Sequence, residues 1–146
     1  MLVAELITIG DELLIGQVVD TNSAWMGEQL NLIGIKVKQI TSISDDKQAI
    51  LTALKEAQQR ADIVLVTGGL GPTKDDITKT TLCEYFQCGY RFDENVHRHL
   101  IQIFQRFGRT LSELNKLQAQ LPELCTTLLM PMELPPECGL KTREKF

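Results

Sequence analysis

The chain has 146 residues, 43% hydrophobic and 23% charged, the composition of one globular domain with a real core rather than of a disordered segment. Its 15 Lys and Arg against 19 Asp and Glu give a net charge of −4 with no basic run, which argues against a nucleic-acid surface but not against a nucleotide ligand. No apolar stretch is long enough to cross a bilayer and Met1-Leu2-Val3-Ala4-Glu5 is no basic leader, so a cytoplasmic protein without membrane contact is expected.

Leu2 to Ile9 is mostly apolar and reads as a central strand covered on both faces. It ends at Gly10-Asp11-Glu12-Leu13-Leu14-Ile15-Gly16, a glycine-bounded acidic loop. Asp20-Thr21-Asn22-Ser23 offers caps for a helix carrying Trp25, Met26, Leu30 and Ile33, with Gly34 placed to stop it. Ile35 to Ile43 alternates apolar with polar residues as a strand, its register uncertain near Gln39. Ser44-Asp45-Asp46 caps an amphipathic helix with Ile50, Leu51, Leu54 and Ala57 on one side, and Asp45 with Gln48 has capping-box spacing.

The chain is organised around the next stretch, Ile63-Val64-Leu65-Val66-Thr67-Gly68-Gly69-Leu70-Gly71-Pro72-Thr73-Lys74-Asp75-Asp76-Ile77-Thr78. A β-branched apolar run reads as a buried strand and stops at three glycines within four residues. Glycine admits positive φ and brings backbone N–H groups close to a ligand, and a helix start beyond it favours an anion. The same residues would also make a plain tight turn with Asp75 or Asp76 as helix cap. Neither the P-loop nor the dinucleotide fingerprint fits, because Lys74 is followed by Asp75 and stands where a third glycine would be needed.

Further helices are expected over 76–87, ended by Gly89, over 94–107, capped by Asp93 with Val96, Leu100, Ile103 and Phe104 as its core stripe, and over 111–120, ended by Pro122. Cys83, Cys88, Cys125 and Cys138 have no zinc spacing, Cys83 and Cys88 near a helix end read as small hydrophobes, and His97 and His99 point to different faces of one helix and read as surface residues. Alternating strands and helices predict an α/β fold, a mostly parallel sheet with helices on both faces. Both glycine-acid loops follow strands, so Asp11, Glu12, Asp75 and Asp76 are expected around one cleft at the carboxyl edge. Carboxylates would repel a phosphate there unless a divalent cation such as Mg²⁺ intervened.

Thr8-Ile9-Gly10-Asp11-Glu12-Leu13-Leu14-Ile15-Gly16-Gln17-Val18-Val19-Asp20-Thr21-Asn22-Ser23 resembles the opening motif of the competence/damage-inducible protein CinA family. The segment from Thr67 to Thr78 is similar to its second motif, and Asn115-Lys116-Leu117-Gln118-Ala119 to a third, more degenerate one. The resemblance runs from about Leu2 to about Leu128 and implies a three-layer molybdopterin-binding-like domain of the MoaB/MogA type. It also implies metal-dependent hydrolysis of ADP-ribose at its pyrophosphate, and self-association of the intact protein. The second domain of many CinA proteins, an NMN amidohydrolase, is absent from the sequence. By this resemblance Gly10, Gly68, Gly69, Gly71 and Thr73 bind the ligand, and Asp11, Asp75 and Asp76 carry the metal or orient water. Asp75 is then the more catalytic of its pair, Asp76 mainly a helix cap, and Asn22 and Thr78 are secondary ligand contacts. Two other functions suit the same residues: a pterin-phosphate-binding module without hydrolysis, and a structural half that oligomerises an amidohydrolase.

The resemblance stops near Leu129, so residues 1–129 read as an incomplete domain and 130–146 as a tail of different origin. The family continues with a Gly-Thr-Ala-Pro-Gly-Met segment and a Trp-Phe pair, whereas this chain has Met130-Pro131-Met132-Glu133-Leu134-Pro135-Pro136-Glu137-Cys138-Gly139-Leu140. Joining the last base of each codon to the first two of the next forces Gly at Met132-Glu133. The following junctions then permit Thr, Ala, Pro, Gly, Met, Trp, Phe and Glu in that order. A frameshift is therefore expected, with a divergent C-terminus as the alternative, and with the frameshift a C-terminally truncated fold, marginally stable and impaired in activity.

Overall fold

The computed structural model describes residues 1–69 and 77–129, and the backbone of 141–143. The chain divides into two units, Met1–Gly71 and Pro72–Phe146. The first contains β1 (Val3–Ile9), α1 (Asp11–Leu14), α2 (Thr21–Leu32), β2 (Lys36–Ile43), α3 (Lys47–Arg60) and β3 (Ile63–Gly68). Its strands are parallel in the order β2-β1-β3.

Every residue of β1 from Ala4 to Ile9 is buried. Successive strand side chains point to opposite faces, so both faces of β1 are covered, as its unbroken apolar run requires. β3 flanks it and is half-buried along its length rather than buried as expected. The strand at the middle of this sheet is therefore β1. Glu5 lies fully buried within it, and Arg60 in the last turn of α3 meets its carboxylate with two hydrogen bonds, at 2.8 and 3.0 Å. A buried carboxylate is tolerable only when paired in this way.

The uncertain register near Gln39 is a real irregularity. Ala4 faces Val37 while Glu5 faces Gln39, leaving Lys38 as an extra residue in β2. Asp20 caps α2, accepting the Ser23 N–H at 2.9 Å and its hydroxyl at 2.6 Å, and Gly34 ends the helix at φ 77°. Trp25 and Ile33 stay exposed. α3 buries Ile50, Ala53, Leu54 and Ala57, and its cap is Asp46, whose carboxylate accepts the Ala49 N–H at 3.0 Å. The cap is thus Asp46 where Asp45 was expected, and the Gln48 side chain turns along the helix to Thr52.

The second unit contains α4 (Ile77–Tyr85), β4 (Tyr90–Phe92), α5 (Glu94–Arg106), α6 (Glu113–Lys116), β5 (Gln120–Pro122), β6 (Thr126–Leu128) and β7 (Lys141–Arg143). β4 pairs antiparallel with β5, and β6 with β7. α4 is stopped by Gln87 in the left-handed region, φ 53°, two residues before the glycine expected to do so. The single helix expected over 111–120 is instead α6 and a 3₁₀ turn, because Gln120–Pro122 extends to pair with β4. Val96 and Leu100 of α5 pack with Ala119 and Leu121 as a core, bordered by Leu111 and Cys125.

Asp93 caps α5 as expected, its Oδ1 accepting the N–H groups of Asn95 and Val96 at 3.0 and 3.1 Å. Its Oδ2 accepts Arg91 Nη1 at 2.7 Å and the Thr127 hydroxyl at 3.2 Å. The Arg91 guanidinium, then the helix N–H of Val96, hold this carboxyl below the usual carboxylate range.

Candidate ligand-binding edge

Parallel strands end at one edge. Ile9 is in register with Ile43 on one side and with Gly68 on the other, so three segments leave the sheet side by side: Gly10-Asp11, Ser44-Asp45 and Gly68-Gly69. The Gly10 N–H donates to the Ile43 carbonyl at 3.0 Å, which ties the first two together. Asp11 is exposed, and its Oδ1 accepts the Ser44 hydroxyl at 2.6 Å and, more weakly, the Asp45 N–H at 3.4 Å. Its second oxygen takes part in neither bond.

Gly68 and Gly69 are both left-handed, at φ 93° and 63°. Such a pair turns the chain sharply, at a cost any side chain would feel. At Gly68 a Cβ would also collide with the Ile9 carbonyl oxygen, so the end of β3 lies directly against the end of β1. Gly10 differs. Its backbone is extended, and the nearest atoms a Cβ there would meet are those of the flexible Glu12 carboxylate.

Of the residues singled out by sequence, Gly10, Asp11, Gly68 and Gly69 thus come together. Residues 11–14 form one helical turn with Asp11 and Glu12 at its start, where a loop was expected. Asn22 is exposed on the first turn of α2. Thr78 is buried on the first turn of α4, and its hydroxyl and that of Thr81 have no hydrogen-bond partner among the described residues. Gly71, Thr73, Asp75 and Asp76 lie outside the described residues, and with them the expected convergence of four carboxylates. Ser44 was missed by sequence reasoning, although its place immediately after a parallel strand put it at the same edge. His97 and His99 prove half-buried, His97 against the Phe92 ring. Among the described residues, no three His, Cys, Asp or Glu side chains are grouped to hold a metal ion, and no helix is long and apolar enough to cross a membrane.

Residues 5–131 match the family described as "Probable molybdopterin binding domain". The chain belongs to this family. Within it the chain is CinA-like: it is 50% identical over 125 residues to a "CinA-like protein" of Cytophaga hutchinsonii, covering 86% of this chain and 30% of that protein. It thus spans about a third of the length of the curated relatives it matches. Among solved structures, CinA of Thermoplasma acidophilum, described as of unknown function, superimposes with a TM-score of 0.74 at 32% identity, over 88% of this chain and 75% of that one. The "tungsten cofactor synthesizing protein MoaB" of Pyrococcus furiosus superimposes with a TM-score of 0.57 at 28% identity, over 74% and 66%. The fold is accordingly the α/β fold of the CinA and MoaB proteins, a mostly parallel sheet layered with helices.

Proposed function

We propose that the carboxyl edge of β1 and β3 binds a phosphate-bearing small molecule, and that the intact domain hydrolyses ADP-ribose at its pyrophosphate with a divalent cation. The observation that supports this is the left-handed Gly68-Gly69 turn lying against the end of β1, whose next residues are Gly10 and Asp11. Open α/β sheets take ligands at the carboxyl ends of adjacent strands. The donor set suits Mg²⁺, which needs one or two carboxylates and completes its shell with phosphate oxygens and water. Asp11 offers one carboxylate oxygen outside its bonds to Ser44 and Asp45. When bound, such a cation supplies charge neutralisation and a more acidic water. Ser44 fixes the Asp11 rotamer, and the two glycines let backbone approach the phosphates. Gly71, Thr73, Asp75, Asp76, Asn22 and Thr78 enter this proposal through the family motifs alone.

The same edge suits a molybdopterin-type ligand held without hydrolysis, and the likeness to a protein named for tungsten cofactor synthesis favours that second reading. The proposal includes the tail: from about Met130 the chain is out of frame with the family's Gly-Thr-Ala-Pro-Gly-Met segment. Resequencing the DNA across these codons tests this, and a codon choice that forbids the shifted reading contradicts it. With the frame restored, incubation with ADP-ribose and Mg²⁺ should release AMP. No AMP, together with a rise in Tm on adding a pterin phosphate, would favour the second reading instead.

A further inference from the structure

The C-terminus of α4 closes with a specific hydrogen-bond pattern. The Cys88 N–H donates to the Cys83 carbonyl at 2.9 Å and the Gln87 N–H to the Glu84 carbonyl at 3.2 Å, with Gln87 left-handed between them. This is the Schellman motif, in which the third-last helical residue and the second residue past the cap bring their side chains together, usually as a hydrophobic pair. Here both positions are cysteines.

We infer that Cys83 and Cys88 form an oxidative modification site, which a peroxide or a small disulfide converts into an intrachain disulfide at the end of α4. The 2.9 Å bond limits the separation of the two Cα atoms to about 7 Å even with every link in line. The bend at the carbonyl carbon brings it within the span of about 4.4–6.8 Å that a disulfide bridges. The Cys83 thiol is pushed up to about 11, first by burial and next by the Cys88 thiol. Cys83 is 5% exposed, with its thiol directed to the Gly89 carbonyl at 3.7 Å, whereas Cys88 is partly open to solvent.

That difference sets the order of events. With a peroxide, the Cys88 thiolate attacks one peroxide oxygen, the O–O bond breaks, and water or an alcohol leaves. The Cys83 sulfur then attacks the Cys88 sulfenic sulfur, its proton leaves with the displaced hydroxide as water, and the S–S bond forms. Two thiols lose two electrons and one peroxide gains them. With a small disulfide, Cys88 displaces one thiol to give a mixed disulfide, and Cys83 displaces the second.

The test uses the full chain treated with hydrogen peroxide or oxidised glutathione, alkylated, and digested with trypsin. Cleavage after Lys79 and Arg91 leaves both cysteines on one peptide, and a further cut after Glu84 separates them unless they are linked. The expected result is a peptide two hydrogens lighter than its reduced form, its halves joined until a reductant is added. Cys125→Ser should leave this unchanged and Cys88→Ser should abolish it. An alkylated Cys83 beside a Cys88 oxidised to sulfinic acid, or a link from Cys83 to Cys125 or Cys138, would overturn the inference.

Discussion

Asp11 and Asp93 each follow a strand and stand at the start of a helix, yet their surroundings are opposite. Asp93 is nearly buried, and both its oxygens are engaged by Arg91, Thr127 and the first N–H groups of α5. Asp11 is exposed, and Ser44 and the Asp45 N–H approach only one of its oxygens. A carboxylate whose bonding is saturated by its own fold holds structure together. One that is oriented, half-used and set beside left-handed glycines can meet a ligand.

This contrast can be broken most severely at Asp11. In the frame-restored protein Asp11→Asn should lower hydrolysis by about 10²–10³, the loss expected on removing one transition-state contact. Its Tm should hardly move, since the side chain is exposed. Equal activity, or a collapse in Tm, would make Asp11 another Asp93.

Asp93→Ala should do the reverse, costing about 2–3 kcal/mol in a urea titration. The lost cap accounts for about 1 kcal/mol and the charge-assisted bonds for the remainder, reduced because Arg91 is 37% exposed. The pH dependence follows from its lowered pKa. The Asp93 contribution should be complete above the ordinary carboxylate range near pH 4, and lost as pH falls through the lower folded value. An Asp93→Asn variant should therefore lose less stability on acidification than the parent. Identical acid profiles would contradict the assignment.

Gly68→Ala should cost about 2 kcal/mol through its left-handed backbone, with further strain against the Ile9 carbonyl. It should weaken ligand binding as well, whereas Gly10→Ala, with extended backbone and the flexible Glu12 side chain nearest to it, should be mild. Similar urea midpoints for the two would show that the turn is not tight. Smallest of all, Ser44→Ala removes one hydrogen bond worth about 1 kcal/mol, so activity should fall about fivefold. A Ser44→Ala loss as large as that of Asp11→Asn would make the hydroxyl itself a ligand contact.

Much of this edge was legible from residue order. A run as apolar as Leu6-Ile7-Thr8-Ile9 must be central, and two strands ending in glycine must open at one edge if they are parallel. Ser44 was not legible as a partner of Asp11, because serine after a strand reads first as a helix cap and only pairing shows what it faces. Glu5 was equally opaque: a lone acid in a strand does not reveal that Arg60, 55 residues later, will neutralise it. Local pattern failed where tertiary pairing overrode it. Gln120–Pro122 carries a helical pattern into its first residues, but the edge of β4 draws it into a strand. Gln87 ends α4 although Gly89 was available, because the chain must reach β4 at Tyr90.

The central claim is that the ligand is held where Gly10-Asp11, Ser44 and Gly68-Gly69 leave the sheet. Titrating ADP-ribose with Mg²⁺ into the ¹⁵N-labelled, frame-restored chain and following its amide resonances tests this most directly. The account predicts shifts at Gly10, Asp11, Gly68 and Gly69 that Asp11→Asn weakens, with Asp93 and Val96 unmoved. Shifts confined to α5, or none at these four residues at saturating ligand, would contradict it.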